Sequence, residues 1–117
     1  MATAKILSIG SQVNHSEENL LILFGTKITE GLSHYAVVQE FIEGQAKIRP
    51  QMELIFGDQV YHVEKVGRAV QHNMHELEHV NISFNPYDDE HIIESMIYVT
   101  PYQFPKLTEG MLITYKD

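Results

Sequence analysis

The chain has 117 residues, no cysteine and a formal net charge of −8, from 16 acidic and 8 basic side chains. A domain of this length can bury roughly two-thirds of its unfolded surface, so a core can form without a disulfide or structural metal. The acidic balance argues against nucleic acid and anionic lipid as partners, because both would be repelled. We expect residues 1–117 to form one domain without thiolate chemistry, in a reducing compartment.

Apolar segments are short throughout the chain. The longest purely apolar run is Leu20–Phe24, far below the ~20 residues that a membrane-spanning helix needs. The first residues, up to Val13, contain no apolar stretch of signal-peptide length. The sequence therefore predicts a cytoplasmic protein that is not inserted into a membrane.

Short apolar or alternating runs, separated by turn residues, predict strands along most of the chain. The Gly57-Asp58 pair between two of these runs is typical of a hairpin turn. In chain order the predicted strands are 5–10, 20–24, 35–38, 46–48, 52–56, 59–67, 80–84 and 111–115. A strand about every ten residues predicts a barrel or a sandwich.

The best helix prediction is the segment 69–78, which contains no glycine or proline. It places Val70, Met74 and Leu77 at positions i, i+4 and i+7, which lie on one helix face. The predicted fold class is therefore all-β: a small closed or partly open β-barrel of about six to eight strands with one short helix.

The end of this helix reads His75-Glu76-Leu77-Glu78-His79 and matches the H-E-x-x-H pattern of zinc proteases. Two histidines four residues apart on a helix can share a metal ion, while the glutamate activates the bound water. However, His79 stands where the periodicity changes from that of a helix to that of a strand. An adventitious nickel or zinc site with His72 is the alternative, and we predict no resident metal and no cofactor.

Taken with its flanks, the same segment resembles a sugar phosphotransferase component. From Asn73 to Phe84 it is similar to the N-L-x-x-L-G-H-x-x-x-x-F segment of the glucitol/sorbitol-specific enzyme IIA component of the bacterial phosphotransferase system. Segment 20–25 resembles the family's early L-I-x-F strand, 57–67 its G-x-x-x-x-V-x-x-V-G hairpin, and 98–113 its closing segment. The resemblance covers nearly the whole chain.

The resemblance implies a small cytoplasmic β-barrel protein that carries a phosphoryl group on a histidine nitrogen. Such a protein receives the group from the phosphocarrier protein HPr and passes it to the IIB domain of a membrane sugar permease. Imidazole suits this role because it is nucleophilic when neutral near pH 7. The implied partners are an HPr-like phosphocarrier protein and the IIB/IIC permease components.

At the position of the family's acceptor histidine, this chain has a glutamine. The family's acceptor ends a run of the form Y-x-x-I/V-H, and here the run from Tyr35 to Gln39 reads Y-A-V-V-Q. A glutamine amide is not a usable nucleophile, because its nitrogen lone pair is delocalised into the carbonyl. No histidine lies between His34 and His62, so either another histidine accepts phosphate or the protein carries none.

His79 is the best candidate to replace the missing acceptor, because the family pattern shares a histidine at this position. Its alternative role is a corner histidine that is hydrogen-bonded to the backbone. Arg49 stands where the family has a second histidine and could hold a phosphate, since its guanidinium matches phosphate oxygens, or it could simply be solvated. The remaining histidines are expected in turns, on a sheet face or in solvent: His15, His34, His62 and His91.

Three hypotheses for function follow. By resemblance, the first is a IIA-type component of the sugar phosphotransferase system, in which Gln39 leaves phosphoryl transfer itself open. The second is a non-phosphorylated binding or regulatory module on the same fold. The third, which the sequence supports least, is a metal-dependent hydrolase at His75, Glu76 and His79.

Overall fold

Eight strands and two short helices make up the structure, a computed structural model that describes residues 1–13 and 18–117. Most strands alternate between buried and more exposed residues, as expected when one face of a strand lines a core. In chain order the elements are β1 (Ala2–Ile9), β2 (Leu20–Phe24), α1 (Glu30–Ser33), β3 (Val37–Glu43), β4 (Glu53–Phe56), β5 (Gln59–Val66), α2 (Val70–Leu77), β6 (Val80–Ser83), β7 (Met96–Thr100) and β8 (Leu112–Lys116).

The strands close into one barrel in the order β1-β3-β2-β6-β7-β5-β4-β8, and β8 pairs back with β1. Most neighbouring strands are antiparallel, but the pairs β2–β3 and β6–β7 are parallel. Closure pairs the backbone groups that an open sheet would leave free at its edges. The predicted all-β fold is confirmed, in its closed form.

The barrel interior is an apolar core with a chain of aromatic contacts through its centre. The Phe84 ring lies 5.2 Å from Tyr61 and 5.5 Å from Phe104, measured between ring centroids. Tyr61 also meets Phe56 edge-on at 5.7 Å, and its hydroxyl donates a hydrogen bond to the carbonyl of Gln103. Edge-to-face contacts of this kind stabilise a core beyond simple burial. These rings join the hairpin of β4 and β5 to the end of β6.

The predicted hairpin turn is confirmed between β4 and β5. Phe56 pairs with Gln59 across it, and the two residues between them form the turn. Gly57 has a φ of 66°, in the left-handed region that glycine adopts without a steric penalty.

The predicted helix is confirmed as α2, and its Val70 and Met74 are buried. Leu77, the third position of the predicted apolar face, is 41% exposed because the helix ends there. The one-turn helix α1 (Glu30–Ser33) was not predicted, since four residues are too few to show a helical period. No helix within the described ranges is long and apolar enough to cross a membrane.

One strand prediction was wrong, and one strand was missed. Segment 46–48 is a loop rather than a strand, and it is held by hydrogen bonds to the side chain of Gln71. Conversely, β7 was missed because its residues are buried without alternation. Its Tyr98 packs against Tyr87 and accepts a hydrogen bond from the backbone of Ile93, so the preceding loop covers this strand.

Candidate functional site

The side chain of Gln39 lies inside the barrel, on β3, and is 0% exposed. Its Nε2 donates a hydrogen bond of 2.9 Å to the backbone carbonyl of Glu78, at the end of α2. Its Oε1 accepts a hydrogen bond of 2.6 Å from the hydroxyl of Tyr115, on β8. We call these two bonds the Gln39 latch. Because both polar atoms of the amide already have protein partners, the side chain has a structural role.

Tyr115 is the buried donor of the latch. Burial raises the pKa of its phenol well above the usual range, and the carboxylate of Glu78 acts in the same direction. The ring also packs against Phe41, with 5.3 Å between the ring centroids. The phenol therefore stays protonated near neutral pH and can always donate to Gln39.

Glu78 ends α2 in an unusual backbone conformation, with φ 52° and ψ 39°. Its N–H lies within hydrogen-bonding distance of the carbonyls of Asn73 and Met74, as in the left-handed caps where glycine is preferred. The chain then passes close to Gly25, whose N–H donates to the carbonyl of Leu77. A Cβ on Gly25 would lie 2.8 Å from that oxygen and 2.9 Å from the Glu78 Cβ, so only glycine fits here.

Replacement of Glu78 with glycine is expected to raise the free energy of unfolding by about 1 kcal/mol, because the left-handed strain of an L-residue is removed. Chemical denaturation of the two proteins measures the difference. The matched control is Glu78→Ala, which loses the carboxylate but keeps the strained Cβ, and should give no such gain. An equal gain in both variants would assign the effect to the lost charge instead.

His79 follows Glu78 and lies beyond the end of α2, where the chain has turned away from the helix axis. Its Nδ1 lies 2.9 Å from the backbone carbonyl of Leu23, and its ring packs on Phe24 with 4.7 Å between centroids. Since a carbonyl can only accept, Nδ1 is the donor in this bond, and in the neutral form of the ring the lone pair therefore lies on Nε2. Nε2 has no hydrogen-bond partner among the described residues, and no buried side-chain nitrogen there lacks one, so Nε2 reaches the surface. His79 is thus a corner histidine bonded to backbone, with one free nitrogen.

The H-E-x-x-H pattern does not form the histidine pair of a metal-binding helix. The helix ends at Leu77, and the left-handed turn at Glu78 directs His79 to β2, while His72 and His75 stay exposed on α2. Across residues 1–13 and 18–117, no group of three His, Cys, Asp or Glu side chains could hold a metal ion. This geometry argues against the hydrolase hypothesis.

Arg49 lies apart from this corner of the barrel. Its guanidinium is exposed and sits 3.4 Å from the carboxylate of Asp117, which also binds the terminal ammonium group of Met1 at 3.0 Å. Within the described residues, no hydrogen bond or ion pair connects Arg49 to Gln39 or to His79. The structure brings Gln39 into contact with Glu78, the residue before His79. Arg49 forms no hydrogen bond or ion pair with this group of described residues.

The other histidines lie at the surface where the structure describes them. His34 caps the short helix α1, and His62 lies exposed on β5. His91 is exposed and pairs with Asp88 through its Nδ1 at 2.7 Å. His15 lies outside the described residues.

The comparisons with known proteins agree with the barrel fold. The structure is similar to "The Crystal Structure of PTS System IIA Component from Enterococcus faecalis V583", with a TM-score of 0.90 and 33% sequence identity over 98% of this chain and 99% of that chain. The protein thus belongs to the class of IIA components of the phosphotransferase system. The chain belongs to the family of the PTS system glucitol/sorbitol-specific IIA component, whose family model matches residues 1–114. No curated protein gives a significant match.

The sequence identified Gln39 but neither of its partners. Tyr115 occupies a buried position of an alternating strand, where an aromatic residue signals only a core. Glu78 carried one available signal: it stands where the L-G-H part of the family pattern has glycine. A glycine at the end of a helix is typical of a left-handed turn, and in such a turn the backbone carbonyl of that residue points away from the helix.

Proposed function

We propose that this protein acts in the bacterial phosphoenolpyruvate-dependent sugar phosphotransferase system as a IIA-type binding or regulatory component that holds no phosphate at position 39. Its family and the IIA component that it resembles support a place in this system. The observation that carries the proposal is the Gln39 latch, in which a non-nucleophilic side chain is fully buried and hydrogen-bonded at both ends.

Charge near the latch also opposes a phosphoryl group. The carboxylate of Glu78 is close enough to raise the pKa of the buried Tyr115 phenol. Glu40 and Glu43 lie exposed on the same strand as Gln39. A phosphoryl group carries close to two negative charges at neutral pH and would be repelled by these carboxylates.

The proposed partners are those with which IIA components generally work, an HPr-like phosphocarrier and a IIB domain of a glucitol/sorbitol-type permease. Family membership supports these partners. The proposal places the protein in the cytoplasm as one domain. Without an acceptor at position 39, it would occupy the partners' docking surfaces rather than relay phosphate between them.

A second candidate function is phosphoryl transfer through His79, which its free Nε2 favours. The proton on Nδ1, held by the carbonyl of Leu23, leaves Nε2 as the nucleophile. In this step the Nε2–P bond forms as the N–P bond of the donor phosphohistidine breaks, and the donor imidazole departs with its electron pair. No contact of His79 within the described residues supplies a cation for the phosphoryl oxygens.

Phosphorylation by the upstream enzymes separates the two candidates. The protein is incubated with phosphoenolpyruvate, enzyme I and HPr, and its intact mass is measured. We expect no gain in mass, whereas a IIA protein with the acceptor histidine should gain one phosphoryl group in the same mixture.

The variant His79→Gln and its matched control His62→Gln complete this experiment. A phosphoryl gain in the wild type that disappears only in His79→Gln would overturn the first candidate and establish the second. If the wild type gains no phosphate and binds neither HPr nor a IIB domain by calorimetry, the binding role is also wrong.

A further inference from the structure

A cavity of about 490 Å³ opens beside the C-terminal half of α2. One wall is the helix, and another is the end of β3 with the loop 44–47. Gln71 fixes the two walls together, because its Oε1 accepts from the N–H of Ile48 and its Nε2 donates to the carbonyl of Ala46. The volume lies within the range of preformed small-molecule sites.

Four charged side chains surround this cavity: Lys27, Lys47, Glu76 and Glu78. None of the four forms an ion pair within the part of the chain that the structure describes, although Arg49, Lys65, Arg68 and Lys116 all do so elsewhere. Two lysines and two glutamates thus line one space without forming an ion pair with each other in the described part of the chain.

The remaining surface of the cavity is partly apolar. Phe41 contributes from β3, Ala46 from the loop, and Met74 from the buried face of α2. Methionine adapts its shape to irregular apolar ligands. A ligand here would therefore place an apolar group against these side chains and polar groups against the charges.

We propose that this cavity binds a small zwitterion with an apolar body, of the class of free aliphatic amino acids. The ammonium groups of Lys27 and Lys47 match a carboxylate, and the carboxylates of Glu76 and Glu78 match an ammonium group. A simple anion or cation would meet two charges of its own sign, and a neutral ligand would desolvate the charged groups without pairing them. Glu78 belongs both to this cavity and to the Gln39 latch, but binding of such a ligand requires no phosphoryl transfer.

Titration of the ¹⁵N-labelled protein with L-leucine, followed by amide chemical shifts, tests the proposal. We expect saturable shifts around the cavity with a Kd of about 1 mM or tighter. Three analogues remove one feature each: 4-methylpentanoate lacks the amine, 3-methylbutylamine lacks the carboxylate, and glycine lacks the side chain. Each should bind at least ~10-fold more weakly than L-leucine.

Two single substitutions test whether L-leucine binds in this cavity. Lys47→Gln and Glu76→Gln should each weaken L-leucine binding several-fold, whereas Lys106→Gln, an exposed lysine outside the cavity, should not change it. Thermal unfolding verifies that each variant is folded. The proposal is overturned if L-leucine gives no shifts, if inorganic phosphate or an analogue shifts the same amides equally well, or if folded cavity variants bind like the wild type.

Discussion

Replacement of Gln39 with leucine is expected to lower the free energy of unfolding by about 3 kcal/mol. Leucine leaves the buried hydroxyl of Tyr115 without an acceptor and the carbonyl of Glu78 without a donor. An unsatisfied buried group of this kind costs ~1–3 kcal/mol. Urea unfolding followed by circular dichroism measures the change.

The matched control is Gln103→Leu, because the Gln103 side chain is exposed, and it should change stability by less than about 0.5 kcal/mol. The double variant of Gln39→Leu with Tyr115→Phe removes donor and acceptor together, so its loss should be smaller than the sum of the single losses. Equal effects of Gln39→Leu and Gln103→Leu would show that the latch does not stabilise the barrel.

Replacement of Phe84 with alanine is expected to cost about 3–5 kcal/mol of unfolding free energy. The ring is fully buried and makes edge-on contacts with both Tyr61 and Phe104, so its removal leaves a cavity and breaks the aromatic chain. In urea unfolding, the midpoint of the variant should lie at a lower urea concentration than that of the wild type. The slope should stay the same, because unfolding remains cooperative.

Tyr102→Ala is the comparison, because this aromatic side chain is 53% exposed. A loss below about 1 kcal/mol is expected there, as for most surface positions. A comparable loss at both positions would mean that aromatic burial in the barrel centre is not what holds the strands together.

Alternation along the sequence predicted the strands with one buried face and failed for those without it. β1 and β8 alternate between core and outside, and both were predicted. β7 is buried on both sides because a loop packs over it through Tyr87 and Tyr98, so its sequence gives no period of two. Segment 46–48 shows the converse: Ala46 and Ile48 are buried, yet the loop that holds them pairs with a helix side chain.

The candidate site was predictable only in part. The position of Gln39 followed from a short motif, but its partners are 39 and 76 residues away in sequence. Such contacts depend on how the barrel closes, which no local pattern encodes. The family pattern has histidine at position 39 and glycine at position 78, and the two residues that replace them here touch each other. The bond from Gln39 reaches the backbone carbonyl of residue 78, so it depends on the course of the chain there and not on the Glu78 side chain.

The pairing of β1 with β8 has a consequence for synthesis of the protein. β8 follows the other seven strands in the sequence, so β1 gains its second neighbour only after β2 to β8 have been synthesised. Until then one edge of β1 has unpaired backbone N–H and C=O groups, and strands of other nascent molecules can pair with this edge. Barrels with such distant pairings also assemble slowly. The speed of translation through β8, and protection by chaperones before β8 is synthesised, should therefore affect the yield of folded protein.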